Sequence, residues 1–114
     1  MNLNQLQLTA IIDEAEQAAY EASYRFFNDV LGGKDQCMCG FAWVDICGVK
    51  GNTKLGKLLK AIGINQNSYT RTFQVWNPAK FNCQNMDTLE VGAKAYVDVL
   101  KKHGFSAYVG SRLD

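Results

Sequence analysis

GFAWVDIC, residues 40–47, is the stretch on which the architecture turns. Its β-branched and aromatic residues alternate in a way that reads as a strand. A strand sends successive side chains to opposite sides, so Phe41, Trp43 and Asp45 share one face, and Ala42, Val44 and Ile46 share the other.

The segments on either side of this strand change period. Upstream, from Thr9 to Leu31, Ile11, Ile12, Ala15, Ala18, Ala19, Ala22, Phe26 and Val30 recur every three or four residues, which is the spacing of one helix face. The middle of that stripe is alanine, so a second element can approach the helix backbone closely: the sheet of the same domain, or the same helix of a second copy. Tyr20, Tyr24, Phe27 and Leu31 make a second, bulkier stripe, and Gly32-Gly33 ends the helix.

Downstream, Leu55, Leu58, Leu59 and Ile62 mark a short amphipathic helix with Thr53 as N-cap. NQNS (65–68) reads as a loop, and YTRTFQVW (69–76) as a second strand that groups Tyr69, Arg71, Phe73 and Val75. Thr88 is placed to cap a helix running from Leu89 to about His103, with Gly104 as its stop, and FSAYVG (105–110) is the last strand. The alternation predicts a single α+β domain over residues 1–114, with about three strands, three helices and a long alanine-rich first helix.

The composition is that of an ordinary globular chain: 114 residues, 47% hydrophobic, 20% charged, one proline. No apolar run reaches membrane-spanning length, and the first residues lack the basic and apolar regions of a secretion signal. The expectation is a cytoplasmic protein with no membrane partner and four reduced cysteines. Net charge is +1, yet residues 1–35 hold six acids against two bases and residues 36–114 hold ten bases against five acids. A split of that size fits either a polyanion held on one face or an acidic helix lying on a basic remainder.

The sharpest motif is GNTKLGKL, residues 51–58, which carries the G-x-x-x-x-G-K part of a phosphate-binding loop between a strand and a helix. Leu58 stands where a serine or threonine would hold magnesium, so nucleotide hydrolysis is not expected. A simpler anion site remains, made of Lys50, Gly51, Asn52, Thr53, Lys54, Lys57 and Lys60 with Arg71 as a supporting donor; residues 50–60 contain no acid. The plainer account is a solvated lysine face on an amphipathic helix.

Phe41 and Trp43, with Tyr69, Arg71 and Phe73, could instead offer a stacking platform to nucleic-acid bases. Burial of these aromatics beneath the first helix is the competing and more usual fate, and Asp45 beside Trp43 then requires a partner. Cys37, Cys39, Cys47, Cys83 and His103 suffice in number for zinc but not in spacing, and no metal or other cofactor is expected. An alternative reading is a small enzyme built on Cys39, Asp45 and His103.

CGFAWVDI (39–46), GNTKLGK (51–57), VWNP (75–78), VGAKAYVDVLKKHGF (91–105) and YVGSRLD (108–114) together resemble a group of small proteins encoded by tailed bacteriophages. The resemblance implies synthesis inside an infected bacterium and an accessory role, and the residues favour a non-enzymatic binding protein over an enzyme. Its partner would be a host protein, a nucleotide or a nucleic acid, and a homo-oligomer is compatible with each.

Overall fold

A computed structural model describes residues 2–35 and 38–114. In chain order the elements are α1 (Gln5–Asp29), β1 (Gly40–Cys47), α2 (Lys54–Ala61), β2 (Asn65–Gln66), β3 (Phe73–Trp76), α3 (Met86–Lys102) and β4 (Ser106–Leu113). The strands form one antiparallel sheet in the order β2-β3-β1-β4, giving the α+β fold that the sequence predicts. There are four strands rather than three, because Asn65 and Gln66 pair with Gln74 and Phe73 where a loop was expected.

β1 occupies the centre with the predicted boundaries. Its Ala42, Val44 and Ile46 are buried, joined from the neighbouring strands by Phe73 and Ala107. The element laid on this face is α3, which contacts β1 and β4, while α1 packs chiefly on α3. The alanine stripe therefore packs on α3 rather than on the sheet. A methyl group on Gly92 of α3 would come within 2.3 Å of Ser23 Oγ and 3.1 Å of the Ala19 carbonyl oxygen, so small residues on both helices permit the approach. At this contact the buried Ser23 hydroxyl donates to the Thr88 carbonyl at 2.8 Å. The second stripe of α1 is partly covered by Phe81, whose ring lies 5.6 Å from Tyr20 and 5.3 Å from Phe27.

Helix starts follow their caps. α1 begins four residues before Thr9 because Asn4 and Gln7 form a reciprocal capping box. α3 is capped by Asn85 rather than Thr88, since Asn85 Oδ1 accepts from both the Thr88 amide (2.8 Å) and hydroxyl (2.9 Å). β3 is shorter than expected at its front end. Asn67 Oδ1 accepts from the amides of Tyr69 and Thr70, and Arg71 adopts φ +64°, which folds residues 67–72 into a turn. β4 is longer, running through Gly110 to Leu113 because it pairs with β1 along its whole length.

Candidate functional site

Two adjoining features stand out, joined through Thr72. The first is a cleft of about 700 Å³ between the loop after β1, the end of α2 and the 67–72 turn. Lys50, Gly51, Asn52, Lys60 and Arg71 line it, together with Gln66 and Thr70. Five of the eight residues singled out for anion binding thus converge.

The other three point to different duties. Thr53 is the α2 N-cap, accepting the Gly56 amide at 3.1 Å and donating to the Lys50 carbonyl at 2.6 Å. Lys54 lies 3.4 Å from Asn2 Oδ1, and Lys57 is exposed outside the cleft. Gly56, the second glycine of the motif, is needed for packing: a methyl there would sit 2.3 Å from the Lys50 carbonyl oxygen. The motif therefore closes the start of α2 onto its preceding loop.

The electrostatics of the cleft are one-sided. Among the described residues the ion pairs are Lys80–Glu16, Lys102–Glu14 and His103–Glu14, so the ammonium groups of Lys50, Lys54, Lys57 and Lys60 and the Arg71 guanidinium have no carboxylate partner. The two α1 acids that form ion pairs, Glu14 and Glu16, are directed to the end of α3 and to Lys80. Lys60 Nζ reaches the Gly51 carbonyl at 3.2 Å, which keeps its charge at the cleft wall. Arg71 is held through its backbone, with its amide donating to the Asn67 carbonyl (2.9 Å) and its carbonyl accepting from Gln66 Nε2 (2.8 Å).

The second feature is the open face of the sheet. Phe41, Trp43 and Asp45 occupy it as the alternation predicts, and register adds Gln74 and Trp76 from β3 with Tyr108, Gly110 and Arg112 from β4. Neither expected fate of the aromatics holds for the full set. Phe73 is fully buried on the other face, and Tyr69 stands 96% exposed on the turn, so neither contributes to a platform; Trp43 does. Burial beneath α1 does not occur, since α1 lies beyond α3.

The indoles of Trp43 and Trp76 stack at 4.6 Å, and Phe41 meets Trp76 edge-on at 6.4 Å. The Arg112 guanidinium rests 5.4 Å from the centre of the Phe41 ring. Asp45, 5% exposed, finds its partners here: Oδ2 accepts from Trp43 Nε1 at 3.0 Å, and Oδ1 accepts from Thr72 Oγ1 at 2.7 Å and Gln74 Nε2 at 2.8 Å. Its charge holds the Tyr108 phenol above the ordinary tyrosine range, while burial foremost and Asp45 next raise the Cys47 thiol. Thr72 joins the two features, lining the cleft while bonding the carboxylate of the open face.

Trp76 escaped the sequence reading because it set Phe73 on the same face as Trp43, and Tyr108 and Arg112 because the last strand was read only to Gly110 with no partner to orient its faces. The alternation of β3 was legible, but only the pairing Trp43 with Trp76 decides which of its two faces joins the aromatic one.

The residues of the enzyme alternative do not share a site. Cys39 lies beside Gln84 at the start of β1, Asp45 is on the open face, and His103 caps α3 on the covered side, where its Nε2 meets Glu14 Oε1 at 2.8 Å. Cys37 lies outside the described residues. Among those described, no group of three or more histidine, cysteine or acidic side chains stands close enough to hold a metal ion, and no helix is long and apolar enough to cross a membrane.

Comparison with protein-family models, curated proteins and solved structures gives no match to this chain.

Proposed function

We propose that this protein is a non-enzymatic binding module whose ligand is a phosphate-bearing anion, a nucleotide or a nucleic acid, held in the cleft between Lys50, Lys60 and Arg71. One observation carries the reading: three cationic side chains from three separate segments border a cleft of about 700 Å³, and none has a carboxylate partner among the described residues. Like charges brought together without counter-charges repel one another, and a polyanion relieves that repulsion while releasing its own counterions. Gly51 and Asn52 add a narrow backbone and a side-chain amide to the same wall.

The test is a titration with adenosine triphosphate and with a short oligonucleotide at low and moderate salt. Binding should weaken as salt rises, and Lys60→Glu with Arg71→Glu should abolish it, whereas Lys54→Glu and Lys57→Glu, which lie off the cleft, should lower it only through general charge. No salt-sensitive binding by the unmodified protein, or equal loss from both pairs of substitutions, would remove the reading.

A further inference from the structure

The open face of the sheet and the basic cleft are adjoining surfaces. From Phe41 to Cys47 β1 extends roughly 20 Å at about 3.3 Å per residue, and the chain then passes directly into Gly48, Val49 and Lys50 of the cleft wall. Along that line the exposed groups are planar rings and cations: Arg112 over Phe41 at one end, the Trp43–Trp76 stack and Tyr108 between, Lys60 and Arg71 at the other.

Burying or exposing these rings is a choice the fold has made. Trp76 and Tyr108 are each 50% exposed and Phe41 39% exposed on a sheet whose other face holds the core. Asp45 is the single carboxylate the strands present here, and three donors occupy its oxygens. It fixes the plane of Trp43 through the indole N–H, and at 5% exposure it offers a phosphate little direct contact. Beside Phe41 and Trp76 a recess of about 330 Å³ has Asn77 and Gln84 on its wall with Asp114 at its rim, so it suits the uncharged edge of one base rather than a phosphate.

We infer that the ligand of this surface is single-stranded nucleic acid, its bases stacked on Trp76, Phe41 and Tyr108 and its phosphates drawn toward Arg112 at one end and Lys60 and Arg71 at the other. The inference rests on the anion-binding reading of the cleft and extends it from phosphate to polymer. Sequence-tolerant binders combine these two elements, a cationic track and aromatic faces, because every base has a π-surface. Duplex is a poor ligand for such a face, since its bases are already stacked on one another. The span accommodates about two or three bases, the number that the four-stranded sheet of one class of single-strand binders stacks.

The experiment is a binding titration of dye-labelled oligothymidylate, followed by anisotropy, with the matching duplex and adenosine triphosphate as competitors. Intrinsic emission is read in parallel, because the two tryptophans of the chain both lie on this face. Single strand should quench the indoles and bind at least tenfold tighter than duplex. Trp76→Ala should weaken it by roughly 5- to 150-fold, the value of about 1–3 kcal/mol per stacked base, with the salt slope unchanged, and Trp76→Phe should restore most of the loss. The single variants Lys60→Gln and Arg71→Gln should instead flatten the salt slope.

Salt-sensitive binding of triphosphate with no indole quenching by oligothymidylate, or with Trp76→Ala indifferent, would overturn the inference and leave the cleft reading standing. Duplex binding as tight as single strand would overturn it too. Binding that responds to Trp76→Ala but ignores the cleft charges would overturn the anion reading and the continuous path together.

Discussion

Replacing Gly110 by alanine should loosen the open face from its foundation. A methyl group at this position would lie 2.3 Å from both Cε2 and Nε1 of Trp43 and 2.6 Å from Cζ2, well inside contact distance, so the indole must swing off β4. Swinging it breaks two interactions at once. The Trp43–Trp76 stack contributes about 0.5–1.5 kcal/mol beyond area burial, and the hydrogen bond from Nε1 to the Asp45 carboxylate about 1.5–3 kcal/mol. Against this, alanine in a strand gains about 0.5–1 kcal/mol over glycine. The net loss is about 1–4 kcal/mol, and at roughly 4 °C per kcal/mol for a chain of this size the melting temperature should fall by about 4–16 °C.

The assay is thermal and denaturant unfolding together with the indole emission spectrum, which should shift to the red as Trp43 leaves Asp45. The origin of the loss is checked in a Trp43→Ala background. There the steric conflict is gone and Gly110→Ala should be neutral or slightly stabilising, a non-additivity of at least 1 kcal/mol. An unchanged melting temperature and spectrum for the single variant, or equal losses in both backgrounds, would refute the reasoning.

Other perturbations separate the remaining contacts. Tyr96 is fully buried and its hydroxyl has no hydrogen-bond partner among the described residues, so Tyr96→Phe should raise stability by about 1 kcal/mol in urea unfolding rather than lower it. Gly92→Ala should cost about 1–3 kcal/mol by overpacking the α1–α3 contact, measured the same way, with Ser23→Gly recovering part of it. Hydrogen bonds from Lys102 first and His103 second hold the Glu14 carboxyl below its ordinary value. Its stabilising contribution is thus complete above the unfolded pKa and lost as pH falls through the folded one, and Glu14→Gln should flatten the acid limb of stability against pH, read by denaturant midpoints across that range. Asp45→Asn should lower the Tyr108 ionisation toward that of a free tyrosine, visible in the ultraviolet phenolate band when Tyr108→Phe supplies the difference.

Much of this fold is legible in local sequence. GFAWVDIC has the boundaries of β1 and the correct division of its faces, because one side is small and aliphatic and the other bulky. Thr53 and the Leu55–Ile62 spacing mark α2 equally well. The errors arise where side chains compete with the backbone. Asn67 turns residues 67–72 out of the strand that β-favouring residues suggest, and Asn85 takes the cap that Thr88 could have held. Of the candidate site, the lysine loop was visible as composition, but its shape was not. Arg71 joins Lys50 and Lys60 through the Asn67 turn and Lys54 and Lys57 are carried away by the pitch of α2, and both outcomes depend on tertiary placement. The exposure of the aromatic face depends on a still longer-range fact, that α1 finds its seat on α3 instead of on the sheet.

The strand order has a consequence for how the chain is made. β1 is the first strand synthesised and the central one, yet its eight-residue partner β4 emerges some sixty residues later, after α3. During translation the middle of the future sheet must therefore wait with one side bare, held only by the short β3. Loop closure over such a span is slow, so the nascent chain passes through an interval in which an aromatic strand is open to any extended segment nearby. A chaperone would act with most effect in that interval.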